Sequence, residues 1–182
     1  VLLEWIEKEE RFKVVYREEV SRGEWTYTKA VDRIIEINEI FEPEHIYVDA
    51  GAGEHQIETL RGHGVKHPET NLHKRVKRVQ FKESVKVMDP FENKLVKKPV
   101  KPFMVEQTQI VFQRDMIDIN DDDKQMWKQL EDYIVVRVTD SGDPVFINKD
   151  EHIVDALLLC ILGYTMNYPE LVSIIHKRNL AS

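Results

Sequence analysis

The chain has one cysteine in 182 residues, Cys160, which excludes an internal disulfide. Cys160 lies on an apolar stretch and reads as a reduced core thiol, which fits a cytosolic setting. No apolar run reaches membrane-spanning length, and no secretory signal opens the chain. It begins at Val1 with strand-like residues and no initiator Met, which predicts a piece of a longer protein. The shortage of cysteine also weakens a zinc reading of His63, His67 and His73, because no thiolates or partner cluster accompany them. Gly51-Ala52-Gly53 lacks the Gly-Lys-Ser/Thr ending of a phosphate loop, so nucleotide hydrolysis has no support. The aspartates Asp115, Asp118 and Asp121 to Asp123 lack the glycine and terminal glutamate of an EF-hand, and a solvated helix start explains them better. Repeats and low-complexity tracts are missing too.

Hydrophobic residues make up 42% of the chain and charged residues 32%, which predicts one soluble globular domain over 1–182. The formal net charge of −7 excludes a wholly basic wrapper of nucleic acid. Its distribution is uneven, however. Arg61 to Lys101 holds twelve Lys and Arg against four Asp and Glu, a local +8, leaving −15 on the remainder. A basic middle in an acidic chain predicts a localised surface facing anions, against the commoner alternative of a solvated charged loop.

Leu2 to Trp5 and Phe12 to Tyr16 read as two antiparallel strands around a polar break. Ala30, Ile34, Ile37 and Phe41 recur at helical spacing from about Thr28, and Pro43 stops that helix. His45 to Asp49 is a short strand, expected to pair parallel with an earlier one. Gln56 to Gly62 predicts a short helix ended by glycine, followed by a basic linker. Ser84 to Met88 and Lys94 to Lys97 flank Asp89-Pro90-Phe91-Glu92-Asn93, the pattern of a hairpin lined with lysines. Pro102 suits the first turn of a helix running to about Arg114, and Asp121 to Asp123 open another that carries Met126, Trp127 and Leu130. Tyr133 to Val138 predicts an apolar strand that turns through Ser141-Gly142-Asp143-Pro144 into Val145 to Ile147. Asn148 and Glu151 form a candidate capping pair for the next helix, and a last helix is expected from Pro169 to Lys177.

Asp155 is the most informative residue. It sits in Glu151-His152-Ile153-Val154-Asp155-Ala156-Leu157-Leu158-Leu159-Cys160-Ile161-Leu162, a run read as otherwise apolar on every face. A carboxylate there loses hydration unless a charge or metal compensates. His152 lies one helical turn earlier on the same face, so the pair can present two metal ligands. The alternative is a core-edge Asp at a helix N-terminus with His152 on the surface. Asp49 ends an apolar strand before a Gly-rich turn, where ligands collect in α/β sheets, although an Asp capping its own turn is the more common explanation for one strand-end Asp taken alone. Two such carboxylates suit Mg²⁺ or Mn²⁺ better than Zn²⁺, and a pair of such ions can activate water against a phosphodiester.

In order and spacing, Ile46-Tyr47-Val48-Asp49-Ala50-Gly51-Ala52-Gly53-Glu54, Lys101-Pro102-Phe103-Met104-Val105-Glu106 and His152-Ile153-Val154-Asp155-Ala156-Leu157 resemble the nuclease domain of bacteriophage large terminase subunits. The resemblance implies an α/β, ribonuclease H-like mixed central sheet flanked by helices, with a basic hairpin insertion at about 84–101. It implies metal-dependent cutting of concatemeric double-stranded DNA during packaging, in the host cell cytoplasm. Asp49 and Asp155 become catalytic ligands of a two-metal Mg²⁺ or Mn²⁺ site, with His152 as an active-site residue that also ligates. Lys86, Lys94, Lys97, Lys98 and Lys101 become contacts to the DNA backbone. The portal protein, the small terminase subunit and an upstream ATPase domain of the same chain become partners, and no membrane is involved. The family's first catalytic Asp lies on a strand expected before Val1. The alternative function is a non-catalytic DNA-gripping and docking module of a packaging motor. A resolvase or transposase of the same fold is less favoured, given the hairpin.

Overall fold

The structure is a computed structural model, and it describes residues 1–20, 23–89, 94–140, 144–146 and 152–168. In chain order, strands β1 (Leu2–Ile6) and β2 (Arg11–Tyr16) precede helix α1 (Tyr27–Phe41). Strand β3 (Ile46–Asp49), helix α2 (Ala50–Lys66), a 3-10 turn (Pro68–Thr70), helix α3 (Leu72–Arg75) and strand β4 (Val76–Val79) follow. Then come β5 (Ser84–Asp89), β6 (Lys94–Pro99), α4 (Val100–Gln113), β7 (Ile117–Asp118) and α5 (Lys124–Asp132). Strands β8 (Val135–Val138) and β9 (Pro144–Phe146) and helix α6 (His152–Asn167) complete the described elements. The expected turns at Pro90 to Asn93 and Ser141 to Asp143, the Asn148–Glu151 capping pair and the helix from Pro169 fall outside the described residues.

The architecture is mixed α/β, as expected. Its described strands lie in four small sheets, of three, two, two and two strands, where one central sheet was expected. The chain divides into two compact units, Val1–Arg17 with Lys82–Ser182, and Glu18–Phe81. None of the helices among the described residues is long and apolar enough to cross a membrane.

In the unit Glu18–Phe81, α1 begins where Thr26 Oγ1 accepts the Lys29 N–H at 3.2 Å. It ends at Glu42, in the left-handed conformation, whose N–H bonds Asn38 O at 3.0 Å, and Pro43 cannot continue it. The strand at 46–49 pairs parallel with the later β4, Ile46 opposite Val76 and Asp49 opposite Val79, which corrects the expectation of an earlier partner. The crossover between them includes a helix far longer than Gln56 to Gly62. Helix α2 starts at Ala50 and passes through four glycines. Gly53 lies so close to β3 that a Cβ would stand 2.7 Å from Val48 Cγ1. Gly64 backs onto α3, where a Cβ would meet His73 N at 2.3 Å. These glycines permit close approach rather than ending a helix. The expected basic linker therefore contains a 3-10 turn, α3 and β4. Val31, Ala50, Ile57, Leu60, Leu72 and Val76 form the core of this unit.

In the other unit, β1 and β2 pair antiparallel, and β7 adds parallel to β2 through Phe12 opposite Ile117. Helices α4 and α5 pack on α6, which also contacts β1. Phe12, fully buried, meets Trp5 and Tyr164 edge-to-face at 4.8 and 4.9 Å between ring centroids. Val111, Met116, Met126, Leu157 and Ile161 belong to the same core. Tyr164 donates its O–H to Leu3 O at 3.2 Å, fastening α6 to the sheet. Partly buried Cys160 packs against the same core, with Sγ 3.6 Å from Val1 O, and desolvation pushes its thiol pKa up.

Candidate functional site

Helix α6 is apolar almost all round, and Ile153, Val154, Leu157, Leu158, Ile161 and Leu162 are buried. Asp155 interrupts this helix in its first turn, with its side chain 21% exposed. Gln129 of α5 holds the helix start by accepting the Ile153 N–H on Oε1 at 3.0 Å. His152, one turn before Asp155, is exposed. The compensating charge that Asp155 requires is Lys101, whose Nζ donates to Asp155 Oδ1. Lys101 is the second residue of α4, at the foot of the lysine hairpin. Its side chain is only 18% exposed, and its ammonium stands 5.5 Å from the Tyr133 ring centroid. Tyr133 in turn stacks on Phe146 at 5.4 Å. Lys101 therefore faces inward, onto a carboxylate.

The hairpin forms as expected, with Ser84 opposite Pro99 and Asp89 opposite Lys94. The Val100 N–H closes its base onto Glu83 O at 3.0 Å. Paired residues share a face, so Val85, Val87, Val96 and Lys98 line a partly buried side. Lys86 and Lys97 stand on the other, exposed side. Lys94 is also exposed. Lys98 pairs with Glu106 Oε2 at 3.1 Å and lies over the Phe103 ring at 5.4 Å. The five lysines thus differ in setting: Lys86, Lys94 and Lys97 are exposed, whereas Lys98 and Lys101 are engaged by acids of their own unit.

Asp49 belongs to the other unit and caps α2, its Oδ1 accepting the Gly51 N–H at 2.9 Å. The capping explanation of this residue is thus realised in the structure, and the same carboxylate retains a second oxygen. Among the described residues, no group of three or more His, Cys, Asp or Glu side chains is arranged to hold a metal ion. Around Asp155 the described side chains offer one carboxylate, already paired with the Lys101 ammonium, which is not by itself a donor set for a divalent ion.

Sequence reasoning missed the Lys101–Asp155 pair, the Tyr133 ring beside it and the Gln129 cap. A buried-looking Asp calls for some cation, but no local pattern names a lysine 54 positions away. Comparison of the chain with protein-family models, with curated proteins and with solved structures yields no match.

Proposed function

We propose that the chain is the metal-dependent endonuclease domain of a viral large terminase subunit, cutting concatemeric double-stranded DNA during genome packaging. The observation that carries this reading is the setting of Asp155. A partly buried carboxylate on an apolar helix, already balanced by a cation, lies at the foot of a hairpin whose exposed face carries Lys86 and Lys97. The ribonuclease H-like fold, the roles of Asp49 and His152, and a third carboxylate on a strand preceding Val1 come from the motif resemblance. By the resemblance, Asp155 and His152 would hold Mg²⁺ or Mn²⁺, which would supply activation of water and stabilisation of the departing phosphate oxygen. The hairpin lysines would hold the DNA backbone without reading its sequence. The portal protein, the small subunit and an ATPase domain of the same chain are the partners this reading implies, in the host cytoplasm.

The test is plasmid cutting with Mn²⁺ by a longer chain that carries the preceding strand. Asp155→Asn should abolish cutting, and an unchanged rate in that variant overturns the nuclease reading.

One observation favours a second reading, a non-catalytic DNA-gripping module. The carboxylates of Asp155 and Asp49 are both engaged, by Lys101 and by the start of α2. Such a module would bind DNA in a salt-sensitive manner through Lys97 and Lys98. It would show no Mn²⁺ binding heat that depends on Asp49 and Asp155.

A further inference from the structure

Charge is segregated within the unit Glu18–Phe81. Residues 18–60 hold eleven Asp and Glu against three Lys and Arg, whereas 61–78 hold one acid and six bases. Those bases gather at one corner, because the chain doubles back after α2. The 3-10 turn Pro68–Thr70 reverses it, and α3 returns against Gly64, where a glycine lets the two backbones approach. Lys66, ending α2, and Lys74, in α3, are exposed. Arg61 Nη2 donates to the backbone carbonyl of Val76 at 3.0 Å, and Arg75 Nη1 to Asn38 Oδ1 at 3.0 Å. Both acceptors are neutral, so neither guanidinium charge is cancelled. Of the six bases, Arg78 pairs with Glu54 at 3.0 Å. Among the described residues the other five, Lys77 included, have no carboxylate partner. The single acid, Glu69, is turned to His67, with Oε1 3.5 Å from Nδ1.

Five like charges held together repel one another, although the same unit carries acids enough to neutralise them. The negative end of α2 accounts for one of them, Lys66. It does not account for Lys74, Arg75 and Lys77, which follow in α3 and β4. The surroundings select the partner. Val65 is the one large apolar side chain exposed over 61–78. Protein interfaces centre on aromatic anchors and are poor in lysine, whereas surfaces that meet DNA are polar and strongly positive. We propose that this α2–α3 corner is a second contact to the phosphate backbone of duplex DNA, separate from the lysine hairpin. The second contact rests on the DNA reading given above. Lys66 and Lys74 meet phosphate oxygens, and Arg61 and Arg75, fixed by neutral acceptors, supply positive charge behind them.

The experiment is an anisotropy titration of the full chain with a duplex of arbitrary sequence, across a salt series and without divalent metal. Lys66→Ala/Lys74→Ala should lower the slope of log K against log salt by about 2, as two phosphates lose their partners. Both side chains are exposed, so the variant should unfold at the wild-type midpoint. Glu69→Gln removes the corner's one acid and should bind the duplex roughly two- to fivefold more tightly. An unchanged slope in the corner variant, alongside a lowered slope in Lys86→Ala/Lys97→Ala, overturns the second contact and leaves the DNA reading standing. A wild-type chain that binds no duplex at low salt overturns the DNA reading, and the second contact falls with it. Polyglutamate that binds the wild type but not the corner variant, with duplex binding equal in both, assigns the corner to an acidic polypeptide and overturns the proposal.

Discussion

Lys86 and Lys97 stand directly opposite one another across the β5–β6 hairpin, both exposed. Like charges in that position destabilise a strand pair, and a bound anion relieves the repulsion. Under the proposed function, replacing both with Ala should reduce the slope of log K against log salt for DNA binding by about 2, one for each phosphate no longer neutralised. Lys98→Ala should reduce it less than either single change, because Glu106 already neutralises Lys98. Anisotropy titrations across a salt series measure both effects, and an unchanged slope in the double variant removes this face from the DNA interface.

Two glycines of α2 should respond to Ala with opposite signs. Gly64→Ala forces a Cβ to within 2.3 Å of His73 N and 2.9 Å of Leu72 Cβ, both on α3. Overpacking of that kind costs about 1–3 kcal/mol. Nothing lies within 4 Å of a Cβ at Gly62, so Gly62→Ala should add roughly 0.5–1 kcal/mol through helix propensity. Urea midpoints that move in the same direction for both variants would contradict this account of α2.

Asp123 should make stability depend on pH. Arg17 donates Nε to Oδ2 at 2.8 Å and Nη2 to Oδ1 at 2.6 Å, and the Met126 N–H adds a bond at 3.1 Å. The Arg17 hydrogen bonds, the largest influence, hold the Asp123 carboxyl below its ordinary value of 3.8, against the opposing effect of desolvation. A lowered folded pKa contributes stability that is complete above that ordinary value and is lost as pH falls through the folded one. Asp123→Ala should therefore cost about 1–3 kcal/mol at neutral pH, from removal of the cap and the Arg17 bonds together. Denaturation curves at neutral pH and well below 3.8 should show the gap between wild type and variant narrowing in acid.

His152 and Leu157 separate a site residue from a core residue on one helix. Leu157 is fully buried, and Leu157→Ala should cost about 2–5 kcal/mol. His152 is exposed, so His152→Ala should leave stability within about 0.5 kcal/mol. Under the nuclease reading the same change should still reduce Mn²⁺-dependent cutting. Unchanged cutting by a stable His152→Ala protein would take His152 out of the site.

The amino-acid sequence by itself determined the elements whose signals lie in adjacent residues. Alternation marked β1, β2 and the lysine hairpin, helical spacing with Pro43 marked α1, and Asp123 marked the start of α5. The need for a cation beside Asp155 was also readable, since it follows from one charge in an apolar run. Tertiary structure alone decided the partners. It extended α2 through its glycines because Val48 and α3 approach too closely for side chains. It made Val76–Val79 the strand beside Asp49, although Lys77 and Arg78 disguise that segment as a basic linker. It chose Lys101 for Asp155, turning inward a lysine that its neighbours in sequence would place with the exposed lysines of the hairpin. Local pattern reports what a residue prefers, whereas pairing depends on which distant segment the packed chain brings within reach.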